Sequence, residues 1–460
     1  MAQMRSAEQQ LIDSGTDVHT LMQRAGRGAA EYVRRMAAGA SVTVLCGPGN
    51  NGGDGYVIAQ ALREAGNQVR VVAAMPPATD AAQRAAALYA GPVVQDGDAT
   101  GALLVDCLFG SGLNRPLESD LHTLLTRLSA GHDRLVAIDL PSGIDADSGA
   151  LLTDHLPQAA LCLALGAWKP AHFLMPAIAH WRTMRLVDIG ITLQESIASI
   201  IVKPQLCTPA MDAHKYTRGL VVVVAGRMSG AGLLAAQAAM HAGAGYVKLL
   251  AAERMIAPPA DLVTMDTSSD SSLGEQIDDE RISALVTGPG LGRDAHARGR
   301  LKQALTADRP TVLDADGLTI LAPEMLRRRT APLIVTPHAG EMQALEHRFD
   351  VDGGCTKPAR ALEVARALNA VVVFKGADTV VAAPDGRIAH APPASGWLSA
   401  AGTGDVLAGI VAARLAVTGD PWKAAVQGVW LHGEAARICG PAFTAGTLAH
   451  KVQDALACAL

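Results

Sequence analysis

Short, uninterrupted runs of apolar residues recur along the first half of the chain, each closed by a glycine-rich or polar turn. The first run is 41–46, and the others are 69–74, 102–109, 135–140, 159–165 and 184–189. Runs that are apolar at every position predict strands buried on both faces, as in parallel sheets. Segments with helical spacing, such as 55–64 and 117–129, lie between several of them. This alternation predicts a doubly wound α/β layer.

A polar segment separates this pattern from a second one. Residues 202–217 mix Lys, Pro, His and Asp, and apolar runs then restart at 220–224, 246–251, 284–287, 310–314, 332–336 and 370–374. The stretch 380–391 has the spacing of a hairpin around Pro384–Arg387. We therefore predict two α/β domains, 1–200 and 216–460, joined by a linker at 201–215.

Composition narrows the class of protein. The 460 residues are 49% hydrophobic and 18% charged with a net charge of −5, which excludes a disordered chain. The sequence has no block rich in Lys and Arg that would indicate a nucleic-acid partner. No apolar stretch reaches the roughly 20 residues that span a bilayer. The seven cysteines are scattered without a Cys-x-x-Cys pair, which favours a reducing compartment. We expect a cytoplasmic protein with neither nucleic-acid nor membrane partners.

The turn after the first apolar run reads Gly-Pro-Gly-Asn-Asn-Gly-Gly-Asp-Gly from Gly47 to Gly55. It contains a Gly-x-Gly-x-x-Gly motif, which suggests a dinucleotide-dependent dehydrogenase. The next run, however, ends Val-Val-Ala-Ala-Met-Pro-Pro and lacks the carboxylate that would bind the ribose. Hydride transfer is therefore disfavoured. The turn still indicates a site for a polar ligand. It offers free backbone N–H groups, the amides of Asn50 and Asn51 and the carboxylate of Asp54.

Two further turns in the first half carry carboxylates directly after apolar runs. Asp106 precedes Phe-Gly-Ser-Gly-Leu-Asn-Arg, and Asp139 precedes Leu-Pro-Ser-Gly-Ile-Asp. Open α/β sheets bind ligands at the carboxyl ends of their strands. We therefore expect the three turns to converge on one site.

The second half contains Gly-Thr-Gly-Asp at 402–405, followed by a long apolar helical segment. Glycines at a helix N-terminus expose N–H donors to a phosphate, and Asp405 in the first turn could accept a proton from a nearby hydroxyl. No Gly-x-x-x-x-Gly-Lys-Ser/Thr motif is present, so this is not a P-loop enzyme. Supporting polar turns follow other apolar runs and begin at Gly288, Asp314, Thr336 and Lys375.

These motifs resemble two known families. The first-half motifs Asn-Asn-Gly-Gly-Asp-Gly, Val-Asp-x-Leu-Phe-Gly-x-Gly-Leu and Asp-x-Pro-Ser-Gly-Ile-Asp resemble the NAD(P)H-hydrate epimerases. The second half resembles the ribokinase-like fold, and within it the ADP-dependent NAD(P)H-hydrate dehydratases. The resemblance implies a Rossmann-like N-terminal α/β layer and a ribokinase-like C-terminal α/β domain, in the order of the bacterial fused enzymes. It implies epimerisation of the R and S hydrates, then ADP-dependent dehydration of the S hydrate to NAD(P)H with release of AMP and phosphate.

The resemblance also implies residue roles, with Asp139 and Asp405 catalytic. In the first half the hydrated cofactor is expected to contact Asn50, Asn51, Gly52, Gly53, Asp54, Gly110, Ser111, Gly112, Leu113, Asn114, Arg115, Pro116 and Asp139. In the second half it is expected to contact Ala231, Gly290, His338 and Asp405, while Lys375, Gly376, Ala377, Asp378, Thr379 and Gly404 bind the nucleotide. Potassium is expected on Asn51, Asp106 and Ser142, and Mg²⁺ is expected to accompany ADP. A homo-oligomer is expected, and the role of Lys169 is left open.

Two alternatives remain at this point. A ribokinase-type kinase for a sugar or vitamin precursor would explain 402–405 but not 50–54. A non-catalytic binding module in the first half would explain the overall pattern there, but it would not need Asp106, Asp139 and Ser142.

Overall fold

The computed structural model describes residues 2–94, 99–191, 198–253 and 258–460, and the chain divides into two compact units, Met1–Ser196 and Ile197–Leu460. Each unit contains one sheet with helices packed against it. Within the described residues, no helix is long and apolar enough to cross a membrane.

The first unit is built on seven parallel strands. They are β1 (Val42–Cys46), β2 (Val69–Ala73), β3 (Val93–Val94), β4 (Gly101–Cys107), β5 (His132–Ile138), β6 (Ala159–Leu165) and β7 (Trp181–Val187). The helices are α1 (Ala2–Asp13), α2 (Val18–Ala37), α3 (Asn50–Glu64), α4 (Asp80–Leu88) and α5 (Ser119–Ala130), with short 3₁₀ turns at Pro170–Phe173 and Ala177–His180. The apolar runs form strands that helices cover on both faces. In β1, for example, every residue is buried.

The strand order is β3-β2-β1-β4-β5-β6-β7, so the direction of winding reverses between β1 and β4. Ligand crevices of open α/β sheets form where this reversal separates two neighbouring turns. Cys46 and Cys107 are opposite each other in the register of the parallel strands β1 and β4. The turns after these two strands therefore lie side by side. This arrangement confirms the predicted doubly wound layer.

The second unit contains a ten-stranded sheet in the order β11-β10-β9-β12-β13-β14-β15-β16-β17-β8. Its strands are β8 (Ala198–Ile200), β9 (Leu220–Val224), β10 (Tyr246–Ala251), β11 (Val263–Asp266), β12 (Ile282–Thr287), β13 (Thr311–Leu313), β14 (Leu333–Val335), β15 (Val371–Phe374), β16 (Val380–Ala382) and β17 (Ile388–His390). Pairing is parallel except for β15 with β16 and β16 with β17. The predicted hairpin at 380–391 is confirmed.

Nine helices are described in the second unit. They are α6 (Ser229–His241), α7 (Asp270–Ile277), α8 (Ala295–Thr306), α9 (Ala315–Ile320), α10 (Ala339–Arg348), α11 (Lys357–Leu368), α12 (Thr403–Thr418), α13 (Pro421–Cys439) and α14 (Ala445–Ala459). The helix α12 is the central one, because every residue from Val406 to Leu415 is buried. It packs closely on α6: a Cβ added to Gly409 would lie 2.0 Å from the carbonyl oxygen of Ala235.

The boundary between the units differs from the sequence prediction. The strand β8 falls inside the range predicted for the first domain, yet Ala198, Ser199 and Ile200 pair with β17 in the sheet of the second unit. Ile201, predicted to begin the linker, is buried. The reason is that the outer strand of the β16–β17 hairpin has free hydrogen-bonding groups on one side, which this short segment pairs.

Candidate functional sites

The first site begins at the turn between β1 and α3. The helix starts at Asn50 rather than at residue 55, with Gly49 as its N-cap, so the two asparagines lie in its first turn. Two glycines permit close approach of the backbone there: a Cβ on Gly47 would lie 1.8 Å from the oxygen of Leu108, and one on Gly52 would lie 1.9 Å from the oxygen of Gly47. This turn therefore packs directly on the loop after β4.

The side chain of Asn51 is buried, and neither its Oδ1 nor its Nδ2 has a hydrogen-bond partner among the residues that the structure describes. A buried amide without partners is costly, so such groups mark places where a ligand completes the bonding. A Cβ on Gly110 would lie 3.1 Å from Asn51 Oδ1 and 3.3 Å from the Cβ of Asp139. Gly110 thus lies between the first and third polar turns, as the sequence predicted for a common site.

Asp139 is held from several directions at the end of β5. Its Oδ2 accepts a hydrogen bond from Ser111 N at 3.1 Å, and its Oδ1 accepts one from Lys169 Nζ at 2.5 Å. His172 Nε2–H donates to its carbonyl oxygen at 2.9 Å. Its backbone has φ +66°, a left-handed conformation that a non-glycine residue adopts at a cost and that is common at functional sites.

Two carboxyl groups in this site have opposite protonation tendencies. Burial alone would raise the pKa of Asp139, but the Lys169 ammonium and the Ser111 N–H lower it below its ordinary value. Burial, together with the charges of Asp139 and Glu8, raises the pKa of Asp54 well above its ordinary value. These surroundings therefore favour the ionised, proton-accepting form of Asp139 and the protonated form of Asp54. Pairs of carboxyl groups separated in this way are typical of acid–base sites.

Asp106 and Ser142 form a connected pair at the ends of β4 and β5. Asp106 Oδ1 accepts from Ser142 Oγ at 2.7 Å and Oδ2 accepts from Ser142 N at 2.9 Å. Ser142 Oγ also accepts a hydrogen bond from Phe109 N at 2.9 Å. Burial raises the pKa of Asp106, although the hydrogen bonds from Ser142 and Leu108 oppose the shift. The two oxygens are thus fixed in a buried, partly charged cluster.

Not every predicted residue of this site is placed in the cluster. Leu113 packs into the core, and the structure leaves Gly112, Asn114, Arg115 and Pro116 exposed. Arg115 extends toward Glu118, 3.7 Å away. These residues form the outer part of the loop after β4.

Three groups were missed or left without a role by the sequence. Lys169 and His172 are both buried, and burial lowers the pKa of His172 to about 4, so its ring is neutral. Glu8 comes from α1, and burial raises its pKa while the charge of Lys169 opposes the shift. Met4 anchors this helix, because its Cε lies 2.8 Å from the position a Cβ would take on Gly166. The signal for Lys169 was a lysine four residues beyond a buried strand; nothing local marked Glu8.

The second site lies at the N-terminus of α12. Gly402 is the N-cap with φ +88°, and a Cβ there would lie 2.7 Å from the side chain of Leu234. Thr403 Oγ1 donates to the carbonyl oxygens of Leu398 and Ala400, and His432 Nε2–H donates to the carbonyl of Thr403 at 2.9 Å. The first turn is therefore fixed with its N–H groups available to an anion.

Lys375 places a positive charge beside this first turn. Its Nζ lies 2.6 Å from Asp314 Oδ1, 3.9 Å from Glu341 Oε2, and 3.4 Å from the position of a Cβ on Gly404. Burial alone would lower the pKa of Lys375, but the two carboxylates raise it above its ordinary value. A cation next to a helix N-terminus makes a strong site for a phosphate.

Asp405 follows Gly404 in the same turn. Burial, reinforced by the charge of Asp314, raises the pKa of Asp405 to about 7, while Lys375 opposes the shift. A carboxyl group that titrates near neutral pH is suited to general-base catalysis, because it accepts a proton readily without being fully protonated at rest.

The loop after β15 is braced from behind. Thr379 Oγ1 bonds to both the N–H and the carbonyl of Gly376. Lys357 Nζ donates to Asp378 Oδ1 at 2.5 Å and to the carbonyl of Lys375 at 3.2 Å. The Asp378 carboxylate is thus engaged with Lys357 and supports the loop, and its contact with the nucleotide stays a prediction.

A cavity of about 1040 Å³ opens in front of these groups. It is lined by His338, Lys375, Gly376, Ala377, Thr379, Thr403, Gly404 and His432, and continues along 391–400 and 429–441 past Trp397 and Trp430. This volume is at the upper end of the range for ligand pockets and accommodates a nucleotide-sized molecule. Of the residues predicted for this site, Ala231, Gly290, Asp378 and Asp405 are not part of its lining, although Asp405 directly follows the lining residue Gly404. Gly290 instead packs on the backbone before α6, where a Cβ would lie 2.1 Å from the oxygen of Met228.

Comparison with protein families gives two matches that together span both units. The NAD(P)H-hydrate dehydratase family matches residues 221–457, just over half of the chain. The family described as YjeF-related protein N-terminus matches residues 18–171.

Individual proteins give the same result over nearly the full length. The chain is 33% identical to the bifunctional NAD(P)H-hydrate repair enzyme Nnr of Mycobacterium leprae over 95% of this chain and 93% of that protein. A crystallised ADP/ATP-dependent NAD(P)H-hydrate dehydratase from Bacillus subtilis, with ATP and Mg²⁺, is 31% identical, covering 55% of this chain and 93% of its own, with a TM-score of 0.47. A ribokinase-like protein from Enterococcus faecalis is 19% identical, covering 58% of this chain and 98% of its own, with a TM-score of 0.50, which shows a ribokinase-like fold here.

Proposed function

Since the chain belongs to the family of bifunctional NAD(P)H-hydrate repair enzymes, we propose which residues carry its two reactions. The protein is an NAD(P)H-hydrate epimerase and NAD(P)H-hydrate dehydratase. We assign epimerisation to the first unit with Asp139 as its base, and dehydration to the second unit with Asp405 as its base. The observation that carries the second assignment is the position of Asp405 in the first turn of α12, beside Lys375.

Dehydration needs an activated leaving group, because hydroxide departs poorly. Asp405 takes the proton of the ring hydroxyl, whose oxygen attacks the β-phosphorus of ADP while the bond to AMP breaks. The N–H groups of the first turn of α12 and Lys375 stabilise the charge on the transferring phosphoryl group. The C–O bond then breaks with inorganic phosphate leaving, as the ring nitrogen donates its electron pair and the adjacent ring carbon loses a proton. The product is NAD(P)H.

The second site thus requires ADP as co-substrate. We place its phosphates between Gly404 and Lys375, where the helix N-terminus and the ammonium group converge, and its nucleoside along the cavity wall formed by Gly376, Ala377 and Thr379. Mg²⁺ accompanies the nucleotide and would offset phosphate charge. Mg²⁺ in such sites is bound largely by the substrate phosphates and water, so it does not need a dedicated cage of protein ligands.

Epimerisation starts from a carbon that bears both a hydroxyl and the ring nitrogen. In our proposal Asp139 takes the hydroxyl proton and passes it to the nitrogen as the C–N bond opens to an aldehyde. Closure on the other face of the aldehyde, with the proton returned, gives the other epimer. Lys169 favours the ionised form of Asp139 between turnovers, and Asp54, whose pKa is raised, donates a hydrogen bond to the substrate in its protonated form.

The first site fits a monovalent cation bound by oxygen atoms. Asn51 has a buried carbonyl oxygen with no partner in the described part of the chain, and Asp106 and Ser142 supply a carboxylate and a hydroxyl that are already fixed together. A hard cation such as K⁺ prefers such oxygen ligands over nitrogen or sulfur. We propose that these three residues bind K⁺, which would balance buried negative charge and tie the three turns together.

The remaining assignments are also proposals. All seven cysteines are free, which supports a reducing compartment such as the cytoplasm. Hydrated NADH and NADPH and ADP are the small-molecule partners, and a homo-oligomer stays a prediction that light scattering can check. A ribokinase-type kinase is not favoured, because matches to the repair family cover both halves of the chain.

The decisive experiment follows 340-nm absorbance when the protein meets a mixture of R and S hydrated NADH, with and without ADP. We expect complete, ADP-dependent recovery of NADH. Recovery that stops at the S fraction would refute the epimerase assignment, and a stable phosphorylated product would refute the dehydratase. An Asp405→Asn variant should lose the ADP-dependent reaction by at least about 100-fold and keep the epimerase reaction.

A further inference from the structure

Asp314 is a buried carboxylate at the end of β13 that none of the steps above uses. Only 1% of its surface is exposed, and it is not part of the cavity lining, whereas Lys375 and Gly404 are. Its Oδ1 accepts a hydrogen bond from Lys375 Nζ at 2.6 Å, and its Oδ2 lies 3.8 Å from the position of a Cβ on Gly404. It therefore stands directly behind the first turn of α12.

The contact with Asp314 determines where the Lys375 ammonium group lies. Glu341, the second carboxylate near Nζ, is 3.9 Å away and so is not hydrogen-bonded to it. An ammonium group has three N–H donors. With one donated to Asp314 at the back, the other two are left for a ligand in the cavity.

The charged groups around Asp405 come from several elements. Asp314 and Asp316 flank the start of α9, Lys375 follows β15, and Glu341 is in α10. Burial raises the pKa of Asp405 to about 7, and among the charges Asp314 contributes most to that rise. His432 from α13 is neutral near pH 7, because burial lowers its pKa to about 4.

We propose that Asp314 is a positioning residue for the dehydratase reaction: it orients Lys375 toward the phosphate of ADP and sets, through its charge, the pH range in which Asp405 works. This inference rests on the proposed roles of Lys375 and Asp405. Asp314 does not touch the substrate; it acts through one residue that binds phosphate and one that accepts the proton.

The test is Asp314→Asn in the full chain. Lys375 keeps its charge, so the Kd for ADP from calorimetry should be no weaker than in the wild type. In contrast, kcat should fall about tenfold or more, because a neutral amide holds Nζ less firmly than a carboxylate does. The acid limb of kcat/KM for ADP should move to lower pH by about one unit, because Asp405 loses a negative neighbour. A merely structural role would weaken ADP binding and kcat together and leave the limb in place.

Two further variants make the test specific. Asp316→Asn removes another buried aspartate, two residues along, that pairs with Arg293 rather than Lys375. The acid limb of kcat/KM for ADP should therefore move less in this variant. Asp314→Glu keeps the charge but moves Nζ, so kcat should fall with the limb unchanged. It also serves if Asp314→Asn does not fold. The inference would be overturned if folded Asp314→Asn kept the acid limb of kcat/KM for ADP at the wild-type pH. It would also be overturned if Asp314→Glu kept the wild-type kcat. A wild-type protein without ADP-dependent NADH recovery would instead overturn the proposed function.

Discussion

Asp139 is buried and Asp405 is partly buried, yet their surroundings shift their pKa values in opposite directions. Lys169 and Ser111 N–H overcome the effect of burial at Asp139 and lower its pKa. At Asp405 burial and Asp314 prevail over Lys375, and the pKa rises to about 7. Each base is therefore suited to a different pH range, although both reactions act on the same hydrated ring.

The two activities should separate as the pH falls. Between pH 7 and 5.5 the fraction of ionised Asp405 decreases, so kcat/KM for ADP in the dehydration of pure S hydrate should drop by roughly 15-fold or more. Asp139 stays ionised over this range, so epimer interconversion without ADP, followed by chromatography, should change by less than about twofold. Parallel decline of the two rates would contradict the opposite assignments.

Lys169 offers a matched pair of variants. Lys169→Met leaves Asp139 buried without its cation, which raises the pKa of Asp139, so epimerase activity at pH 7 should fall about tenfold to a hundredfold. Raising the pH should partly restore the rate of this variant. Lys169→Arg keeps the charge and should lose less. Dehydration of pure S hydrate is the internal control and should stay unchanged; a loss there would indicate general unfolding.

Single residues were predicted well where they follow a buried strand and less well elsewhere. Asn51, Asp106, Asp139 and Ser142 could be named because turn residues at the ends of parallel strands must meet at one edge. The pKa shifts of Asp139 and Asp54 could not, because they depend on Lys169 and Glu8, which come from distant parts of the sequence. The contact between Asp378 and Lys357 was not predictable either, since the two residues lie 21 positions apart in the sequence.

At the scale of elements, the close contact between α6 and α12 fixes the N-terminus that we propose binds phosphate. Gly409→Ala should destabilise the protein by about 1–3 kcal/mol, because the new methyl group would meet the Ala235 carbonyl at 2.0 Å. Gly299→Ala in α8 is the control: nothing lies within 4 Å, and it should stabilise by up to about 1 kcal/mol. Denaturant unfolding of both variants measures the difference; equal stabilities would refute the packing argument.

Most strands could be predicted because runs buried on both faces have few polar positions. The elements that were missed are short or lie at sheet edges, such as β3, β8 and β11. Two to four residues carry too little periodic pattern to be recognised, and their strand conformation depends on a neighbour that is distant in sequence. The start of α3 was placed too late, because the glycines and asparagines of its first turn resemble a loop.

At the scale of the whole molecule, each unit has its own sheet, core and proposed reaction. The family matches assign one family to each half of the chain. Order of the motifs along the sequence was sufficient to predict two α/β domains. It was not sufficient to locate the junction between them, because β8 belongs by pairing to the second unit although it precedes the polar segment.

The pairing of β8 with β17 has a consequence for any attempt to isolate the dehydratase half. A fragment that begins at residue 216 lacks β8 and would present β17 as a bare outer strand, with unpaired N–H and C=O groups along one side. Such a strand is a template on which another copy can add its own strand. Light scattering should then show faster growth of large particles for 216–460 than for 197–460, whose outer strand β8 is more exposed to water than Ala389 and His390 of β17.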